Sequence, residues 1–229
     1  MPLPHRTRLA PLLLVLGLSN GLGKLSAADQ SPVTVWRLEQ TAQVGGHAAT
    51  VLGEPRVVKE PDGQALYFNG ASDGLLIPVN PLEGLEQFTV EALIKPETGG
   101  PAEQRFLHVQ DGPGNRALME IRLTDAGWAF DTFLHSEKIQ SKCTLLDRTK
   151  LHPADRWTWV ALVFAHGHMT HYIDGVKELE GEVAFTPMVA GQISLGVRQN
   201  KVYWFKGGIR EVRFHTGALG AAELQHALE

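Results

Sequence analysis

The chain has 229 residues, a net charge of −4 and a single cysteine, Cys143. That length suits one all-β domain, and the mild acidity excludes nucleic acid as the expected partner, because phosphates demand a basic surface. One cysteine excludes an internal disulfide, and the run Thr144-Leu-Leu146 behind it marks Cys143 as a small buried hydrophobe.

The first residues read as a targeting segment. His5, Arg6 and Arg8 form a basic start, residues 9–18 are a short apolar core, and Ser26-Ala27-Ala28 offers the small residues of a cleavage site. A signal peptide is therefore expected over 1–28, with the domain over 29–229. Export to the periplasm or outside the cell follows. Loss of Arg6, Arg8 and Lys24 with the leader makes the remainder three charges more negative. No later segment is long and apolar enough to cross a bilayer as a helix.

Strand-like runs follow, separated by Gly, Pro, Asn and Asp. They cover 33–38, 65–69, 75–79, 88–95, 105–109, 117–123, 128–135, 157–164, 169–173, 192–197 and 208–215. Many short strands with turn signals between them predict a two-sheet antiparallel sandwich or jelly roll. The clearest unit is 157–175, W-T-W-V-A-L-V-F-A-H-G-H-M-T-H-Y-I-D-G. It reads as a β-hairpin whose first strand is apolar on both parities, so it belongs in the middle of a sheet. The only helix signal is terminal, from Gly220-Ala-Ala-Glu to Leu228, and predicts a short C-terminal helix.

Alternation separates the faces of the other strands. Phe88, Val90, Ala92 and Ile94 oppose Glu91; Met119, Ile121 and Leu123 oppose Glu120 and Arg122; Trp128, Phe130 and Leu134 oppose Asp131 and His135. Neighbouring strands with this pattern would gather Glu91, Glu120, Arg122, Asp131 and His135 on one wet face. Arg198, Asn200 and Tyr203 follow the strand at 192–197 and fit its rim. Carboxylates and arginine grip hydroxyls or uronates, and aromatic rings stack on sugars. The competing reading of the same residues is a solvated sheet face with cross-strand ion pairs. His166, His168 and His171 are close in sequence, but a turn does not fix a metal geometry, so no metal is expected there.

Four blocks carry a family resemblance: Ala65-Leu-Tyr-Phe-Asn-Gly70 with Asp73; Phe88-Thr-Val-Glu-Ala92 through Lys95-Pro96; the hairpin at 157–175; and Phe205-Lys-Gly-Gly-Ile209 through Phe214 with Leu219 to Leu224. In this order and spacing they resemble the bacterial laminin-G-like jelly rolls of the concanavalin A-like lectin and glucanase superfamily. Leu93 stands where that family usually has tryptophan, and Asn69 where it has aspartate. The resemblance implies a concanavalin A-like jelly roll. It also implies a carbohydrate- or glycoprotein-binding module without catalysis, whose partner is a polysaccharide or a glycoprotein glycan. Adhesion without a small ligand is a further alternative. No cofactor is expected beyond a structural calcium, for which the resemblance offers Asn69 and Asp73 as oxygen ligands. Some jelly-roll lyases use Arg, Gln or Asn, His and Tyr across one sheet. On that alternative Arg122, His135 or His108, Gln104 and Tyr203 would act on an acidic glycan.

Overall fold

The computed structural model describes residues 33–226 together with Met1, and the expected signal peptide lies outside that range. Every described strand belongs to one unit, residues 31–229. The first six strands are β1 (Val33–Arg37), β2 (Gln43–Val44), β3 (His47–Ala48), β4 (Thr50–Leu52), β5 (Arg56–Glu60) and β6 (Gly63–Asn69). Next come β7 (Gly74–Ile77), β8 (Phe88–Pro96), β9 (Glu103–Asp111), β10 (Arg116–Thr124), β11 (Gly127–Ser136) and β12 (Ser141–Leu146). The last are β13 (Thr158–Ala165), β14 (His168–Ile173), β15 (Val176–Glu182), β16 (Gly191–Leu195) and β17 (Lys206–His215).

They form two antiparallel sheets and a small hairpin. One sheet runs β15-β14-β13-β8-β17-β6-β5, and β1 shares the free edge of β17 beside β6. The other runs β12-β11-β10-β9-β16-β7-β4, while β2 and β3 pair alone. Neighbours such as β17 and β8 are far apart in sequence, as a jelly roll requires. All eleven expected strands are present. The strands that the sequence did not signal are β2 to β5, β12 and β15.

The expected hairpin is β13–β14, with His166 and Gly167 both at positive φ in its turn. Paired residues at positive φ give the turn a twist that matches the strands, and the Asp174-Gly175 turn between β14 and β15 repeats it. Strand β13 lies between β8 and β14, as its two-sided apolar pattern requires. Val160, Leu162 and Phe164 enter the main core, while Ala161 and Val163 pack on the outer face under Leu224.

The C-terminal segment is a cover for that outer face. The expected helix is only one 3-10 turn, Ala221–Glu223, after which Leu224 is extended and buried. The turn stops there because the Gln225 N–H is drawn to Glu91 Oε1, 2.7 Å away. Burying Leu224 and satisfying Glu91 outweighs continuing a helix of low intrinsic stability.

The two sheets face each other across a core that includes Trp36, Phe68, Phe88, Phe106, Trp128, Phe130 and Phe205. Strand β9 carries a bulge. Met119 pairs with Leu107, but Glu120 pairs with Arg105, so Phe106 is the extra residue. As a result Phe106 and Leu107 are both buried in the core, and the polar parity of β9 resets. Glu178 of β15 links the sheets at their far edge. Its Oε2 meets His152 Nε2 at 2.7 Å and its Oε1 meets His171 Nε2 at 3.3 Å, while His171 Nδ1 meets Thr132 Oγ1 of β11 at 3.1 Å. Those histidine partners hold the Glu178 carboxyl down at about 2, against the opposing effect of burial. Cys143 of β12 packs by Gly181 of β15, where an added Cβ would come within 2.9 Å of its sulfur. Cys143 is partly buried against the core rather than fully buried as expected, and that burial raises its thiol pKa.

Phe106 packs against Phe130 and Phe205 with ring centroids 6.3 and 5.8 Å away. Replacing it with alanine should lower the unfolding free energy by about 3–5 kcal/mol in urea titrations. A loss below about 1 kcal/mol would place it outside the core.

Candidate functional site

The outer face of the seven-stranded sheet is built from cross-strand rows. Glu120 of β10 stands opposite Asp131 of β11 on one side and Arg105 of β9 on the other. Arg122 stands opposite Glu103, Leu118 opposite His108 and Phe133, and Arg116 opposite Gln110 and His135. Thr144 of β12 lies beside Phe133. These rows floor a hollow of about 300 Å³ lined by Arg105, Arg116, Glu120, Arg122, Asp131, Arg198 and Tyr203, with Leu118, Phe133 and Thr144.

Two of the four guanidiniums are held by carboxylates. Arg105 Nε lies 2.8 Å from Glu120 Oε1, and its Nη1 lies 3.2 Å from Glu103 Oε2. Arg122 Nη2 lies 3.1 Å from Glu120 Oε2 and 2.5 Å from Asp131 Oδ2. The other two are not so held. Arg116 donates to Nδ1 of His135 at 2.8 Å, an atom that Glu137 Oε2 also approaches at 3.5 Å, and lies over the Phe133 ring. Arg198, in the turn after β16, forms no ion pair and no side-chain hydrogen bond among the described residues.

Tyr203 forms one wall. Its ring lies under the Arg105 guanidinium, 3.7 Å from centroid to carbon, and its carbonyl accepts the Arg105 N–H at 2.9 Å. Its φ is 60° and that of Lys201 is 61°. Left-handed backbone costs a non-glycine residue about 1–2 kcal/mol, so the contact with Arg105 offsets a real expense. The residue remains 40% exposed, which leaves a surface for a ligand.

Burial and crowding shift the ionisable groups. Burial, then the Glu120 charge, push the Asp131 carboxyl up to about 7, against the pull of Arg122 and Arg105. Burial raises Glu120 as well. His108 is pushed down to about 3 by burial, then by Arg198, Arg116 and Arg105. It is neutral, with Nδ1 accepting the Gln199 N–H at 3.2 Å, so Nε2 carries the proton. Burial, then Arg116, lower His135.

The expected site residues divide as follows. Glu120, Arg122, Asp131, Arg198 and Tyr203 come together in the hollow. His135 borders it through Arg116, and His108 lies on the same face one strand away. Asn200 is exposed in the 198–201 turn and does not line the hollow. Glu91 is separated from all of them. It lies in β8 of the other sheet, buried, with Oε2 2.8 Å from His215 Nε2 and Oε1 on the Gln225 N–H. Alternation gave its parity correctly, but parity does not say which sheet a strand joins.

Asn69 and Asp73 do not fit a cation. Asn69 Oδ1 accepts the N–H groups of Ala71, Ser72 and Asp73, and Asp73 accepts those of Glu54 and Asn69. These oxygens hold a turn. No group of three or more metal-ligating side chains occurs among the described residues. Of the lyase set, Arg122 and Tyr203 share the hollow, but Gln104 bonds the Pro101 carbonyl and the Lys206 N–H. Burial and the surrounding arginines make His108 a poor proton acceptor near neutral pH, and His135 Nδ1 is already an acceptor for Arg116.

Arg105, Arg116, Glu103 and Phe133 are the participants that alternation did not single out. An unbroken β9 would put Arg105 on the face of Leu107 and Val109, which is the core. The bulge turns it outward.

A family model for the concanavalin A-like lectin/glucanases superfamily matches residues 69–225. Among curated proteins no match is found. Among solved structures, one similar fold is domain 4 of the extracellular arabinanase AbnA from Geobacillus stearothermophilus, in complex with arabinotriose. It is 23% identical with a TM-score of 0.62, over 85% of this chain and 97% of that one. The binding domain of Paraclostridial Mosquitocidal Protein 1 is 13% identical with a TM-score of 0.62, over 83% of this chain and 50% of that one. The binding domain of Botulinum Neurotoxin DC, in complex with SialylT, is 12% identical with a TM-score of 0.57, over 83% and 49%. This chain thus spans about half the length of the two toxin binding domains.

Asp131 yields a stability test. Its folded pKa, about 7, lies above the unfolded value near 3.9. The folded state therefore holds the extra proton, and its stabilising effect is lost as pH rises from about 4 to 7. Glu103 and Arg105 from β9, and Glu120 and Arg122 from β10, are the charged groups facing it. Relative to Asp131→Asn, the wild type should lose on the order of 2 kcal/mol between pH 5 and 7.5 in urea titrations. A wild-type-to-variant difference that stays constant with pH would mean a carboxylate ionised throughout.

Proposed function

The chain belongs to the concanavalin A-like lectin/glucanase superfamily, and from that premise we propose that it is an exported carbohydrate-binding module without catalysis of its own. The observation that carries this reading is the hollow on the seven-stranded sheet. It combines fixed charged groups with an exposed aromatic ring, the two elements that hold hydroxyls and sugar faces. Shared rows of Arg, Glu and Asp leave their side chains immobile before a ligand arrives, so little conformational entropy is lost on binding. The arabinotriose and SialylT complexes of the structural neighbours give this reading general support, at identities that speak for the fold alone.

The lyase reading is the weaker one. A proton must leave the sugar carbon for a base, and neither His108 nor His135 is free to take it. Incubation with alginate should give no unsaturated product by ultraviolet absorbance.

Export rests on the expected signal peptide. Mass spectrometry of the exported protein should find a new N-terminus near Asp29, and an intact Met1 on cytoplasmic material would contradict it.

A glycan array should identify ligands for the chain. Tyr203→Ala should weaken the best of them about tenfold, the worth of one stacked ring. An array without hits, or an unchanged affinity in the variant, would remove the site assignment.

A further inference from the structure

We infer that the glycan taken by this face carries an anionic group, a carboxylate or a sulfate, and that it seats between Arg116 and Arg198. The inference rests on the carbohydrate-binding reading and adds the chemical class of the ligand.

Four guanidiniums line the hollow; the carboxylates in ion-pair contact with them are Glu103, Glu120 and Asp131, while the half-exposed Glu137 sits 3.5 Å from His135 Nδ1 and pairs with neither Arg116 nor Arg198 among the described residues. Those three are committed to Arg105 and Arg122 through the contacts given above. Buried charges are normally paired. Arg116 meets His135 Nδ1, which the Glu137 carboxylate also approaches, and an aromatic ring, but no carboxylate directly among the described residues. Arg198 has no side-chain partner among the described residues and is half-buried. The two are near enough that Arg116 is the largest charge effect on Arg198, which burial and like charges lower together. Burial first, then these arginines, push His108 down, so the histidine adds no further positive charge.

This arrangement is poor for a neutral sugar. A pyranose hydroxyl returns less than a charge-assisted bond for each guanidinium that loses water, whereas a carboxylate or sulfate accepts the planar fork of arginine through two oxygens. The surplus is local, because the whole chain is acidic. That suits one anionic group on an otherwise neutral ligand better than a continuous polyphosphate track. The hollow, about 300 Å³, is at the lower end of small-ligand sites and suits a short stretch of glycan. Tyr203 lies in the same wall and offers the sugar ring a face.

Calorimetric titration of the chain with five probes tests this: oligogalacturonate, its methyl ester, a chondroitin sulfate oligosaccharide, a neutral arabino-oligosaccharide and polyglutamate. At least one of the two acidic glycans should bind, about tenfold or more tighter than the ester and the neutral sugar. Arg198→Gln and Arg116→Gln should each lower that affinity about tenfold and close most of the gap to the ester, while Arg198→Lys keeps part of it. Arg198 supports no other side chain, so its variant should fold with an unchanged urea midpoint. If the ester or the neutral sugar binds as tightly as the acids, and Arg198→Gln changes nothing, the anionic inference fails and the carbohydrate reading stands. If polyglutamate matches oligogalacturonate, the arginines bind anions but the ligand is not chosen as a sugar, and the inference fails with that reading. If no probe binds, both fail.

Discussion

One extra residue in β9 sets both the core and the outer face of the seven-stranded sheet. With Phe106 unpaired opposite the Met119–Glu120 step, two consecutive side chains enter the core and fill the space between Phe130 and Phe205. The same offset turns Arg105 out, directly across from Glu120, where it meets both the carboxylate and the Tyr203 ring. A regular β9 could not provide both. If Leu107 and Val109 stayed in the core, Phe106 would face water and Arg105 would be buried against them. Bulges often re-aim a side chain beside a functional surface, and this one couples the packing of the fold to the charge pattern of its hollow.

Around Arg105 the charges form a ladder that is rigid but unbalanced. Glu120 serves two arginines, Asp131 serves one, and burial with the Glu120 charge raises the affinity of Asp131 for a proton. A partly protonated Asp131 leaves still less negative charge to balance Arg116 and Arg198. Stability alone would favour replacing such a set with apolar residues. The outer face of the other sheet shows the contrast. There Glu91 is answered by His215 and by the backbone of the C-terminal segment, and Leu224 covers the apolar patch beside it.

Much of the fold is legible in the sequence because its central strands are long and strongly patterned. The 157–175 hairpin announces itself through aromatic and β-branched residues and two glycine turns. Strands such as β5 (R-V-V-K-E) and β15 (V-K-E-L-E-G-E) are edges with little apolar content, so no periodicity marks them. The site is half legible for related reasons. Glu120, Arg122 and Asp131 follow from alternation, since β10 and β11 are regular neighbours. Glu91 shows the same alternation but belongs to the other sheet, a matter of long-range pairing. Arg105 is hidden by the bulge, and Arg116 by its place at the first residue of its strand, ahead of the alternating run that begins at Ala117.

The most direct measurement is a backbone amide NMR titration of the chain with an oligosaccharide that binds it. The largest shifts should fall on Arg105, Leu118, Phe133 and the 198–203 turn, spreading along β9, β10 and β11. Shifts centred on Tyr67, Trp157 or Glu91 across the other sheet, with the 198–203 turn silent, would place ligand recognition on a different surface altogether.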